Sequence, residues 1–156
     1  LKLYFWRMLT PFDDTYFMKK ALDQAQEAYE RDEIPVGAII VSNNKVIARG
    51  HNLTEMLNDV TAHAEMQAIT AAANFLGGKY LTNCTLYVTL EPCQMCAGAL
   101  YWSQIYRVVF AARDEQRGYR VMGGKLHPKT KITEGLLEIE ASTLLKKFFI
   151  KKRNLN

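Results

Sequence analysis

Two short segments, His63-Ala64-Glu65 and Pro92-Cys93-Gln94-Met95-Cys96, restrict what this chain can fold into more than anything else in it. An imidazole and two thiols that lie far apart in sequence act together only if the fold brings their backbones to one point. Each segment follows a loop and opens a helical pattern. Ala62 to Leu76 is helical and rich in Ala, with Asp59 or Thr61 as the expected cap and Gly77-Gly78 as its end. A second helix is expected from Pro92, at its first position, to about Trp102. Helix starts carry unpaired N–H groups and partial positive charge, which favour thiolates. Two thiolates and a neutral imidazole (His63, Cys93, Cys96) balance the charge of Zn²⁺ and leave a fourth position for water. Glu65 adds a carboxylate that need not be a ligand, placed to move protons beside such a metal.

The flanking patterns say what holds these helix starts. Phe17, Ala21, Leu22, Ala25, Ala28 and Tyr29 recur at helical spacing, and Arg31-Asp32-Glu33 close that helix before Pro35. Val36 to Val41, Lys45 to Ala48, Thr85 to Leu90, Arg107 to Ala112 and Lys131 to Thr133 read as strands, with Asn43-Asn44 turning the opening hairpin. Residues 50–60 read as a polar loop and 113–130 carry no clear pattern. A terminal amphipathic helix is expected from Glu134 to about Lys152. Strands alternating with helices predict an α/β fold, a three-layer α/β/α sandwich around a five-stranded mixed sheet. The expected organisation is an extension over 1–12 with little structure and a natural start at Met8, one domain over 13–153, and a tail over 154–156. At 156 residues there is room for one core.

Composition excludes some classes. Three cysteines do not build a disulfide framework and suit a reducing compartment, so a cytoplasmic location is expected. No stretch reaches the length of a membrane span and no signal peptide is expected. The net charge of +4 is compatible with a polyanionic partner.

Other readings of the motif have to be weighed. Cys93-x-x-Cys96 alone fits a thioredoxin-like redox pair, but here it follows the third strand and not the first. A structural zinc site needs a fourth protein ligand, and Cys84 is a weak candidate, read instead as a small buried hydrophobe. Glu65 alone would be an ordinary surface residue. His51 and His127 read as solvated loop residues.

The combination H-x-E with P-C-x-x-C is the signature of the zinc-dependent deaminases. The likeness extends to Glu33-Ile34-Pro35-Val36-Gly37-Ala38, Thr61-Ala62-His63-Ala64-Glu65, Leu86-Tyr87-Val88-Thr89-Leu90-Glu91-Pro92-Cys93, Met95-Cys96-Ala97-Gly98-Ala99, Arg107-Val108-Val109-Phe110 and Ile132-Thr133-Glu134-Gly135. In these blocks, over about residues 13–153, the chain resembles the bacterial tRNA adenosine deaminases of the cytidine-deaminase-like superfamily. The resemblance implies one Zn²⁺ per subunit on His63, Cys93 and Cys96, Glu65 as proton shuttle, and no organic cofactor. It implies that the Ala64 N–H orients the bound water, Asn52 reads the base edge, and Pro35 and Val36 wall the pocket. The substrate implied is the wobble adenosine of a tRNA anticodon loop, converted to inosine, by a homodimer whose RNA site draws on both subunits. RNA contacts would fall on Phe149, Lys151, Lys152 and Arg153 of the basic terminal helix, a run that equally fits a solvated helix end, and on Arg117 and Arg120.

The chain departs from that family in two places. Val60 stands where Pro is frequent. Residues 114–130 are shorter than in well-known members and lack their Gly-Ser-Leu block and Asn-His pair. Arg117, Tyr119, Arg120, Lys125 and Lys129 could take over by phosphate contact and stacking. The same departure is compatible with a free base or nucleoside, guanine or cytosine, as substrate. A third alternative is a catalytically silent RNA-binding subunit, against which the intact Glu65 argues.

Overall fold

Asp13 opens the first helix by accepting the Tyr16 N–H at 2.8 Å, a side-chain N-cap. The computed structural model describes residues 12–156, so the expected start at Met8 and nearly all of the expected extension lie outside the described residues. The elements are α1 (Asp14–Glu30), β1 (Gly37–Ser42), β2 (Lys45–His51), α2 (Ala64–Leu76), β3 (Thr85–Leu90), α3 (Gln94–Ser103), β4 (Arg107–Ala112), β5 (Lys131–Glu134) and α4 (Glu138–Leu155).

The strands form one sheet in the order β2-β1-β3-β4-β5. β1 is antiparallel to both its neighbours, whereas β3, β4 and β5 run parallel. Successive side chains on a strand alternate faces, and the two cores follow that period. Ala38, Ile40, Leu86, Val88, Val108 and Phe110 face α2 and α3, packed on Ala64, Ala68, Ala97 and Leu100. Ile39, Val41, Tyr87, Val109 and Ala111 face the other way, onto Phe17, Met18 and Ala21 of α1 and Ala141 of α4. This is the expected three-layer sandwich. The hairpin turns at Asn43 and Asn44, both with positive φ (51° and 59°), a backbone that Asn tolerates better than most residues.

Several boundaries differ from those expected. β2 continues to His51, because Gly50 and His51 pair with Ala38 and Gly37. His51 is therefore a buried strand residue, with Nδ1 3.0 Å from the Asn52 carbonyl, and not a solvated loop residue. His127 is half-buried against the Tyr101 ring. Neither Asp59 nor Thr61 caps α2; the Asp59 carboxylate accepts from the Thr61 N–H and hydroxyl, closing the preceding turn, and His63 takes the cap position. Pro92 lies outside α3, which Cys93 begins; its carbonyl instead accepts the Tyr119 N–H. α4 starts at Glu138, not Glu134, because Glu134 pairs with Phe110 in β5 and Leu137 takes a left-handed φ of 56°. It runs on to Leu155. Cys84 is buried, as its reading as a small hydrophobe requires.

One polar network ties the layers together. Arg107 grips Asp14 with two hydrogen bonds (2.9 and 2.8 Å) and donates to Thr133 Oγ1, while the Tyr87 hydroxyl donates to Asp14. It joins α1 to β3, β4 and β5. The Arg107 hydrogen bonds hold the Asp14 carboxyl below its ordinary 3.8, against an opposing push from burial. Because the folded value is depressed, this stabilisation is present above pH 3.8 and fades as pH falls through the lower folded value. Asp14→Ala is expected to cost about 1–2 kcal/mol at pH 7, allowing for solvent screening of a partly exposed pair. In urea titrations the gap from wild type should shrink in strong acid.

Candidate metal centre and active site

The topology gathers one edge of the sheet. β3 and β4 end there, β2 ends there because it runs antiparallel to β1, and β1 begins there. Pro35, Val36, Asn52, His63 and Cys93 all sit at or just beyond this edge, where open α/β sheets place their ligands. α2 and α3 begin over it. A Cβ on Gly50 would lie 2.4 Å from the Ala64 carbonyl oxygen, so only glycine lets the first turn of α2 rest so closely on β2.

Both helices start with a residue that could donate to a metal. His63 and Cys93 hold the N-cap positions, in extended backbone, and neither makes a side-chain capping bond. Their side chains turn instead toward each other. Sγ of Cys93 and Sγ of Cys96 each lie 3.6 Å from His63 Nδ1, and the three donor atoms all fall within 4.8 Å. A tetrahedral zinc, with bonds of about 2.0–2.1 Å to nitrogen and about 2.3 Å to sulfur, would separate those donors by roughly 3.6 Å. The donor set thus fits zinc in both chemistry and spacing.

The electrostatics agree with that fit. The hydrogen bond from Cys96 pulls the Cys93 thiol down to about 4, with burial opposing and His63 assisting. The same bond and burial push Cys96 up. One thiolate forms readily; the second needs a cation to accompany it. His63 is raised, first by its hydrogen bond with Cys93, with desolvation opposing. Glu65 lies in the first turn of α2 and is only 4% exposed. Burial pushes its carboxyl up to about 7, and Cys96 stands within hydrogen-bonding reach of it. A dication at the three donors would draw it back toward the carboxylate.

The zinc-binding region of the cytidine and deoxycytidylate deaminases matches residues 12–112. The chain belongs to this deaminase family. A tRNA-specific adenosine deaminase from Aquifex aeolicus is 48% identical over 89% of the chain and 95% of its own length. A structure from work on A-to-I editing by tRNA:A34 deaminases at the wobble position of transfer RNA is 42% identical, with a TM-score of 0.77, over 84% of this chain and 99% of that one. A guanine deaminase from Nitrosomonas europaea is 26% identical, with a TM-score of 0.76, over 87% of this chain and 84% of that one. The first two agree with the branch that the flanking sequence blocks resemble.

The remaining residues singled out in this deaminase divide into two groups. Pro35, Val36 and Asn52 are buried at the same edge. The Asn52 N–H donates to the Val36 carbonyl at 3.1 Å and its side-chain amide reaches Thr54 Oγ1 at 3.4 Å. The basic residues lie farther out, and two already have acidic partners: Lys152 pairs with Asp32 at 2.5 Å, and Arg120 pairs with Glu134 and stacks over Phe110. Lys151 lies over the Tyr29 ring, while Phe149, Arg153 and Arg117 are exposed.

Two buried acids carry roles that sequence reading did not assign. Glu33 reads as a helix terminator, yet its carboxylate is buried and accepts main-chain N–H groups of Glu55 and Met56. Glu91 is buried beneath Gly118, in the segment of unassigned pattern. Gly118 forms a bridge with Cys93, and the Arg120 N–H points to Glu91. Residues 114–120 therefore lean on the metal-donor loop. A Cβ on Gly118 would lie 2.0 Å from Glu91 Oε2. Gly118→Ala is expected to cost about 1–3 kcal/mol through that overlap, read as a lowered midpoint in thermal unfolding.

Proposed function

We propose that this chain is a zinc-dependent hydrolytic deaminase that converts adenosine to inosine at the wobble position of a tRNA anticodon. The observation that carries the chemistry is the convergence of His63, Cys93 and Cys96 beside the buried Glu65. The choice of substrate is supported by the relatives: the 48% identical protein is named for tRNA-specific adenosine deamination. One zinc per subunit would sit on the three donors, supplying a water acidic enough to attack near neutral pH.

The protein's own residues then move protons and hold the base. Glu65 accepts a proton from the attacking water on a carboxylate oxygen and delivers it to the ring nitrogen beside C6. A second proton, passed on as the C6–O bond is completed, leaves with the amino group as ammonia, so adenosine and water become inosine and ammonia. A buried carboxyl group beside the donors can act first as base and then as acid, which suits both roles. The Ala64 N–H, in the first turn of α2, orients the water; Asn52 takes the base edge; Pro35 and Val36 form the wall. A loop nucleotide reaches such a recess more cheaply than a paired base.

The exposed Phe149, Lys151, Arg153 and Arg117 are the outer RNA contacts in this reading; Lys152 and Arg120 join only by leaving their acids. Met56, Leu57, Val60, Trp102, Val121 and Met122 are exposed apolar side chains, the kind of surface a homodimer covers. No helix among the described residues is long and apolar enough to cross a membrane, and a cytoplasmic tRNA enzyme accords with three free cysteines.

A second reading, deamination of a free base, is favoured by the likeness to a guanine deaminase. Salt separates the two. On an anticodon stem-loop, kcat/KM should fall steeply with added salt as phosphate contacts weaken; turnover of free guanine that ignores salt and RNA selects the second reading. Glu65→Ala is expected to lower inosine formation by about 10²–10⁴-fold with bound zinc retained. Cys96→Ser should instead lower the zinc content itself, measured by metal analysis of the purified protein.

A further inference from the structure

We propose that Glu33 is a positioning residue for the substrate pocket: its buried carboxylate clamps the loop after β2 and thereby sets Asn52. The proposal rests on the reading of Asn52 as the residue that meets the base. Glu33 is 1% exposed. A carboxylate at such depth is tolerated only with hydrogen-bond donors, and here they are main-chain groups of one loop. Glu33 Oε1 accepts the Glu55 N–H at 2.6 Å and the Met56 N–H at 3.2 Å. The loop turns on itself through the bonds from the Leu57 N–H to the Leu53 carbonyl and from the Asp59 N–H to the Thr54 carbonyl. Such a turn leaves its leading N–H groups without partners, as a helix start does. Glu33 caps it from another part of the chain.

Glu33 is itself anchored, since its N–H donates to the Ala28 carbonyl at the end of α1. Three residues later the Val36 carbonyl accepts the Asn52 N–H at 3.1 Å. Residues 33–36 therefore hold this loop twice, at Asn52 through the main chain and at Glu55 and Met56 through the Glu33 carboxylate. Asn52 is the hinge between wall and loop, and its amide reaches Thr54 inside the clamped span. Residues 55–60 are exposed; main-chain bonds from the Leu53 N–H to the Ala62 carbonyl and from the Ala62 N–H to the Asp59 carbonyl close the base of the loop, and the Glu33 carboxylate is what holds its middle, at Glu55 and Met56, to another element.

Glu33→Met keeps the side chain's length and removes its acceptors; the freed N–H groups face inward from a loop of exposed residues, so they reach water only when that loop opens. Glu33→Gln keeps one acceptor oxygen. Glu33→Met is expected to lower kcat/KM on an anticodon stem-loop by about 10–100-fold, with zinc content unchanged, and Glu33→Gln to restore most of it. In an Asn52→Ala background the same change should lose less than about 3-fold, because both act through one contact. Equal losses in both backgrounds would show that Glu33 supports the fold generally, and would overturn the proposal. Hydrogen exchange gives a readout independent of substrate. The Glu55 and Met56 amides should be protected in the wild type and lose protection in Glu33→Met, while α2 and α3 stay protected. Unchanged exchange at those two amides would also overturn it. A wild-type protein that leaves the stem-loop unmodified but shows this exchange pattern refutes the substrate reading and leaves the clamp standing.

Discussion

Two helices begin at one point above the sheet edge, and each begins with a residue whose side chain leaves its own backbone uncapped and turns toward a shared donor cluster. His63 and Cys93 occupy cap positions that Ser, Thr, Asp or Asn usually fill. Both give up the capping bond and meet across 3.6 Å. The cluster thus lies at the start of both helices, whose partial positive charge favours the readily formed Cys93 thiolate. The rest of the structure serves that meeting. Gly50 lets α2 lie flat on β2, and the parallel pairing of β3 with β4 directs α3 back over the same face.

The loops around this point are fastened by buried acids. Glu33 reaches the loop that leaves β2, and Glu91 underlies the segment that leaves β4. In each case the partners include main-chain N–H groups, so a side chain supplies what a longer strand or helix would otherwise have supplied. The segment 114–130 is therefore built into the Cys93 loop through Gly118 and Tyr119. Its Arg120, together with Arg113 just before the segment, is tied back to β5 through Glu134. It presents Arg117, Val121 and Met122 outward.

Legibility followed the range of the interactions. Short, nearly continuous apolar runs made β1, β3 and β4 readable within a residue or so, because each faces a core on both sides. The helical repeat did the same for α1 and α2. Boundaries set by tertiary partners were not readable. Glu134 looks like an acidic helix start, but pairing with Phe110 makes it the end of a strand. His51 looks like a loop residue, but a strand pairing buries it. Glu33 looks like a helix terminator, because the N–H groups that bury it belong to residues far along the chain and carry no side-chain signature.

The sequence by itself determined the chemistry of the centre. One imidazole, two thiols and a carboxylate near helix starts are a statement about residue types and spacing, legible as a known signature even where the helix caps are not. Only the tertiary structure decided what surrounds that centre: which acid holds which loop, which cations already have partners, and which groups Asn52 bonds. Those outcomes depend on main-chain groups and on desolvation. Every residue but proline offers the same main-chain groups, and burial belongs to the folded arrangement and not to any one position in the chain.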